Sequence, residues 1–334
     1  MKKKIGYLGA GAWGFCLANL LAGKGFEVTL WTGNYKLAEV LRLGGFHPKL
    51  RDYKAEENLV LTTDLKEALH GADLIIESVT SKGIRPVLEK VMGLGRFETP
   101  LVLTSKGIEQ DSGLLLSEVA LDVLGEEYKN KIGCLSGPSL AIEIMQKLPA
   151  SVVCSAYDHD LMMMIREVFS TDFFRVYPNA DMAGVSFGGA MKNIIAIACA
   201  ICDGLGYGEN TKAALITRGL HEIRKLSVTK GCRPETLNGL AGLGDLCATC
   251  LSSHSRNYIF GKLLAEGYSP EEAKEKIGMV VEGAYTCMSA LQLSKKADIA
   301  VPITEAVYAI LYEGLSPKKA VESLLMRAVK EEHL

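Results

Sequence analysis

Lys192 is the side chain best placed to do chemistry. It interrupts Gly188-Gly189-Ala190-Met191-Lys192-Asn193-Ile194-Ile195-Ala196-Ile197-Ala198, a helical run with almost no other polar group. A buried charge is costly, so such a lysine is paired, functional, or placed in the first helical turn where it reaches water. An ammonium whose pKa falls on burial can give a proton to a developing alkoxide, which would make Lys192 a general acid/base. A carboxylate arrives in Ala241-Gly242-Leu243-Gly244-Asp245-Leu246, a tight glycine-rich turn. Asp245 could cap the next helix, hold the lysine's ammonium or accept a substrate hydroxyl. Ser253-His254-Ser255-Arg256-Asn257 starts a helix with serine as its cap, and His254 is expected in solvent. An arginine in a first turn opposes the helix dipole. Ser255, Arg256 and Asn257, with the free backbone N–H groups there, together suit a phosphate.

A second chemistry lies near the start of the chain. Gly9, Gly11 and Gly14 fall at G-x-G-x-x-G spacing between the apolar run 5–8 and a helix over 15–21. In a dinucleotide site the first glycine makes the tight turn, the second admits the pyrophosphate and the third lets helix and strand pack closely. A second strand over 27–31 completes a βαβ unit. The V-A-I-K, H-R-D and D-F-G motifs that a kinase loop requires are missing downstream. Lys2 to Lys4 precede an apolar stretch as in a signal peptide, but glycines interrupt it and no small-x-small cleavage pattern follows.

These residues need elements to hold them. Strands over 59–61, 73–79, 100–104, 132–135, 151–154 and 173–176 alternate with helices over 37–43, 64–69, 84–92, 114–124 and 161–169. That rhythm predicts a mostly parallel sheet covered on both faces. Ligands in such a sheet sit beyond the carboxyl ends of strands, and two ends are suggestive: Thr104-Ser105-Lys106-Gly107 and Leu135-Ser136-Gly137-Pro138-Ser139. Lys106 is either an exposed turn lysine or a phosphate or substrate contact. From 185 onward the strand signal stops, and helices are expected over 188–202, 211–229, 256–266, 270–277, 284–296, 303–312 and 317–328. The expected fold is α/β: a Rossmann-like dinucleotide-binding domain over 1–184, then an all-helical substrate-binding domain over 185–334.

Composition agrees with two domains, since 334 residues exceed the roughly 250–300 over which a single core grows. A hydrophobic share of 48% and a charged share of 23% are ordinary for a globular protein. The net charge of −2 supplies no attraction for nucleic acid or a membrane surface. Nine scattered cysteines suit a reducing, cytoplasmic setting better than a disulfide framework. Cys199 and Cys202 belong to an apolar run read as a buried helix, where core packing is expected, and Cys247 and Cys250 lack a second Cys/His pair at zinc spacing, so no metal is expected. No apolar run is expected to reach the roughly 18 residues of a membrane span.

Taken in order, G-A-G-A-W-G at 9–14, S-K-G at 105–107, S-G-P-S at 136–139, G-G-A-M-K-N at 188–193, A-L-I-T-R-G at 214–219, G-L-A-G-L-G-D-L at 239–246, S-R-N at 255–257 and V-V-E-G at 280–283 resemble the glycerol-3-phosphate dehydrogenases, the bacterial NAD(P)-dependent type above all. The resemblance spans nearly the whole chain. It implies Lys192 as catalytic acid/base, with Lys106, Gly137, Ser139, Asp245, Ser255, Arg256 and Asn257 contacting substrate. It implies that Trp13, Lys106, Ala141, Arg256, Val280 and Glu282 join the glycines at the cofactor. Relatives often carry a basic residue at the place of Gly33, to neutralise the 2′-phosphate of NADP; Gly33 is neither basic nor acidic, so NADPH and NADH both stand as cofactors.

The resulting expectation is hydride transfer between NAD(P)H and dihydroxyacetone phosphate, giving sn-glycerol 3-phosphate for glycerophospholipid synthesis. The active site would lie between the domains, and a homodimer is compatible with it. A hydroxyacid dehydrogenase of related architecture would favour a carboxylate over a phosphate. A non-catalytic nucleotide sensor would need the glycine loop but neither Lys192 nor Asp245.

Overall fold

The computed structural model describes residues 3–95, 97–328 and 331–332. The chain divides into two compact units, Met1–Ser105 with Leu116–Met182, and Lys106–Leu115 with Ala183–Leu334. The excursion of 106–115 into the second unit is not contained in a reading with one boundary at 184/185.

The first unit holds the strands β1 (Lys4–Leu8), β2 (Glu27–Trp31), β3 (Phe46–His47), β4 (Leu50–Lys54), β5 (Leu59–Thr62), β6 (Leu74–Glu77), β7 (Leu101–Leu103), β8 (Ile132–Ser136), β9 (Ala150–Ala156) and β10 (Phe174–Pro178), most of them grown from the expected apolar runs. Eight of them form one sheet in the order β10-β9-β8-β7-β6-β1-β2-β5. Its pairs are parallel except β8 with β9. Ile5 of β1 stands between Val28 and Leu74. The chain runs outward from β1 through β2 to β5, then returns to β1's other side as β6. β1 therefore ends at the point where the strand order reverses, the place where open α/β sheets bind ligands. Ile5, Tyr7, Leu17, Leu30 and Ile76 are wholly buried in the core beneath it.

The antiparallel hairpin of β3 and β4 was not expected. It escapes pattern reading because β3 is two residues long and β4 buries only Leu50 fully.

The second unit is helical. Its axis is the helix Met182–Gly204, whose residues from Ala190 to Ile197 are all buried. Contrary to expectation, this helix is long and apolar enough to cross a membrane, but 94% of its apolar stretch is buried inside the protein, so it is a core helix. It also starts six residues before the expected position, running through Gly184, Gly188 and Gly189 despite their low helix propensity. Packing overrides propensity: a Cβ on Gly188 would lie 2.5 Å from the Ala241 carbonyl oxygen, so a glycine is what lets the two segments touch. Ile223, Leu246, Phe260, Cys287 and Ile310 bring other helices into this core, and Ile108 and Leu115 of the excursion join them.

Candidate active site

The early start of that helix puts Lys192 mid-helix and 8% exposed, which removes the first-turn route to water. Its partner comes from the glycine-rich segment. Leu240–Gly244 forms one π-helical turn that leads directly into the helix Asp245–Leu251. Asp245, 1% exposed, is spent on lysines. Its Oδ1 accepts from Lys192 Nζ and its Oδ2 from Lys106 Nζ at 2.6 Å. Lys192 also donates to Thr249 Oγ1 at 2.8 Å, and Thr249 donates to the Asp245 carbonyl at 2.6 Å. Lys192 is thus held by two acceptors on successive turns of one short helix.

Burial pushes the Lys192 pKa down to about 8; Asp245 resists the fall and the nearby Lys106 ammonium assists it. Two ammonium groups on one carboxylate leave a net positive charge in a dry place, which suits an anionic substrate. An acid of pKa about 8 is charged at neutral pH and still gives up its proton readily.

Beside this triad runs an amide chain. Asn193 Oδ1 accepts from Asn257 Nδ2 at 2.9 Å, and Asn257 Oδ1 accepts from the Gly283 N–H at 2.9 Å. Ser255 caps the helix Arg256–Ala265, its Oγ accepting from the Tyr258 N–H. Arg256 Nη1 donates to the Val280 carbonyl at 2.9 Å; burial lowers its pKa and the Glu282 carboxylate opposes that. The second unit therefore brings Lys106, Lys192, Asp245 and Asn257 into adjoining networks, with Ser255, Arg256, Val280 and Glu282 on the flanking turns. Thr249 and Asn193 were missed. Asn193 carried one signal, as the other polar residue in Lys192's apolar helix; Thr249 carried none.

In the first unit the glycine loop has the expected form. Gly9 takes φ +109°, and a Cβ there would lie 2.8 Å from the Ser78 carbonyl; a Cβ on Gly14 would lie 1.9 Å from the Gly9 oxygen. Gly11 is exposed, and a Cβ on it would meet nothing within 4 Å. Such a cradle, opening onto the N-terminus of the helix Ala12–Gly23, fits a dinucleotide pyrophosphate. Trp13 lies half-buried in that helix's first turn, and Cys16 Sγ donates to the Ala141 carbonyl at 3.5 Å. Gly137, just beyond β8, accepts at its carbonyl from Ser139 Oγ at 2.9 Å. Beyond β2, the Thr32 hydroxyl accepts the Asn34 N–H and Asn34 Oδ1 caps the next helix, so neither neighbour of Gly33 offers a charge.

Residues 4–162 match the family model for the NAD-dependent glycerol-3-phosphate dehydrogenase N-terminus, and residues 181–322 match the model for its C-terminus. The chain is 58% identical over 332 residues to the glycerol-3-phosphate dehydrogenase [NAD(P)+] of Protochlamydia amoebophila, covering 99% of this chain and 100% of that one. It is 55% identical to the enzyme of that name from Chlamydia pneumoniae, with full coverage of both. The crystal structure of glycerol-3-phosphate dehydrogenase from Coxiella burnetii matches with a TM-score of 0.93 at 39% identity, over 98% of this chain and 99% of that one.

Proposed function

Because the chain belongs to the NAD-dependent glycerol-3-phosphate dehydrogenase family, we propose that it interconverts dihydroxyacetone phosphate and sn-glycerol 3-phosphate with NAD(P)H, using Lys192 as general acid/base. The observation that carries this reading is the buried Lys192 ammonium held between Asp245 and Thr249. When bound, the nicotinamide cofactor would supply the hydride for C2 of the substrate. Lys192 gives its proton to the oxygen on that carbon, and takes one back in the reverse direction. Asp245 and Thr249 keep the donor pointed and charged, and Lys106 supplies the second positive charge beside the nascent alkoxide. Arg256, Ser255 and Asn257 hold the phosphate, which fixes the carbonyl for attack. Gly137 and Ser139 complete the substrate contacts, while Gly9, Gly11, Gly14, Trp13, Ala141, Val280 and Glu282 serve the cofactor. The product feeds glycerophospholipid synthesis in the cytoplasm.

The test is oxidation of NADH and of NADPH followed with dihydroxyacetone phosphate, for the wild type and Lys192→Met. Methionine keeps the length of the stem and removes the proton donor. A kcat lower by at least about 10²-fold, with cofactor still bound, is expected of a lost general acid. Unphosphorylated dihydroxyacetone should be a poor substrate. Retention of most turnover by a folded Lys192→Met would sink the assignment.

A further inference from the structure

The helix that carries Lys192 ends in a polar cluster that the proposed chemistry does not use. Asp203, about three turns beyond Lys192, accepts both the Tyr258 hydroxyl and the Lys212 ammonium at Oδ2, the ammonium at 3.0 Å. Lys212, 8% exposed in the helix Glu209–Ser227, also donates to Glu209 Oε1 at 3.2 Å. Burial, aided by the Asp203 carboxylate, raises the Tyr258 pKa to about 12, so the phenol keeps the proton it donates.

Tyr258 stands in the first turn of the helix Arg256–Ala265, directly after Ser255, Arg256 and Asn257. That helix lies along the Lys192 helix. Asn257 donates to Asn193, a Cβ on Gly261 would lie 2.5 Å from the Ile197 carbonyl oxygen, and a Cβ on Gly204 would lie 2.4 Å from the Ala265 Cβ. These contacts advance in the same direction along both helices, which therefore run parallel and closely packed. A first turn is nonetheless the loosest part of a helix, because its N–H groups lack acceptors within the helix. The Ser255 cap on the Tyr258 N–H is long, at 3.4 Å. Successive residues project about 100° apart around a helix. Asn257 alone would leave the turn free to swivel about the Asn193 contact, and Tyr258, tied to Asp203 on the neighbouring face, stops that. We propose that Tyr258 is a positioning residue for the substrate's phosphate, its hydroxyl tying the turn that carries Ser255, Arg256 and Asn257 to Asp203 on the Lys192 helix. This rests on the reading of that turn as the phosphate anchor, which the wild-type measurement tests separately.

Oxidation of NADH is followed with dihydroxyacetone phosphate and with unphosphorylated dihydroxyacetone, and inorganic phosphate is titrated as a competitor of the first. The proteins are the wild type, Tyr258→Phe, Asp203→Ala and the double variant. Phenylalanine keeps the ring and drops the hydroxyl, while Asp203→Ala removes the acceptor and leaves Lys212 its partner Glu209. In Tyr258→Phe the KM for dihydroxyacetone phosphate and the Ki of phosphate should rise about tenfold, the scale of one hydrogen bond to a charged group. The KM for NADH and kcat/KM for dihydroxyacetone should move by less than about twofold, whereas a general loosening of the helical unit would move all four. The double variant should be no worse than the worse single one, since both substitutions remove the same tie. Should Tyr258→Phe not fold, Asp203→Ala carries the same comparison. An unchanged Ki, equal losses with both substrates, or additive losses in the double variant would overturn the proposal. Phosphate that fails to compete with dihydroxyacetone phosphate in the wild type would overturn the anchor reading itself.

Discussion

A single lysine carries the proposed chemistry, and its surroundings set the direction of its pH dependence. With a pKa lowered to about 8, Lys192 is mostly ammonium at pH 7. Reduction needs the ammonium, so its rate should hold below about pH 8 and fall as pH rises through that value. Oxidation of glycerol 3-phosphate needs the amine, so its rate should climb over the same interval. Steady-state kcat measured in both directions from pH 6 to 10 checks this. Two limbs of the same sign would remove Lys192 from the role. The bridging Asp245 is indispensable to this picture, because an unpaired ammonium 8% exposed would be held only at considerable cost.

At the scale of elements, a carboxylate on one helix caps another. The helix Glu209–Ser227 presents Glu222 to the start of Pro302–Tyr312, whose own N-cap, Val301, offers no side-chain acceptor. Glu222 accepts from the Ile303 N–H at 2.6 Å, the Thr304 N–H at 3.1 Å and the Thr304 hydroxyl at 3.1 Å. Burial nevertheless dominates these hydrogen bonds and raises the carboxyl from 4.5 to about 7. A pKa raised in the folded state adds stability that is complete below 4.5 and is lost as pH rises through about 7. A shift of this size corresponds to about 3 kcal/mol. Glu222→Gln should remove that slope, so the stability of the wild type relative to the variant should fall between pH 4.5 and 7.5. Urea unfolding of both proteins at the two pH values reads it. A difference independent of pH would mean that Glu222 does not titrate there.

On the scale of the whole molecule, the chain enters its helical unit twice. Ile108 and Leu115, facing each other as an isolated bridge, are 2% and 1% exposed in that unit's core. The Ser289 hydroxyl donates to the Ile108 carbonyl at 3.0 Å. Each apolar side chain so buried contributes about 1.5–3 kcal/mol. The fragment Ala183–Leu334 expressed alone lacks both and also lacks Lys106, the second cation on Asp245. It should be markedly less stable than a version with residues 106–115 joined on by a flexible linker. Equal melting temperatures for the two would show that the excursion contributes nothing to the core.

Local order in the sequence was enough to find the sheet's main strands and the long helices, because alternation, glycine spacing and apolar runs act over a few residues. The G-x-G-x-x-G loop was legible for that reason, as were the helical second half and a lysine conspicuous in an apolar helix. Only the tertiary structure decided what Lys192 faces. Lys106 and Asp245 stand 139 positions apart, and no local pattern says that one carboxylate will bridge two lysines. Thr249 fell outside every expected helix, and only the folded helix Asp245–Leu251 turns it toward Lys192. The early helix start at Met182 depended on Gly188 meeting Ala241, a contact between distant backbones that propensity does not register. The hairpin bearing His47 was hidden because its strands are short and mostly exposed, so hydrophobic patterning had nothing to report. Pairing between distant segments is set by which backbones can approach, and that is a property of the packed chain alone.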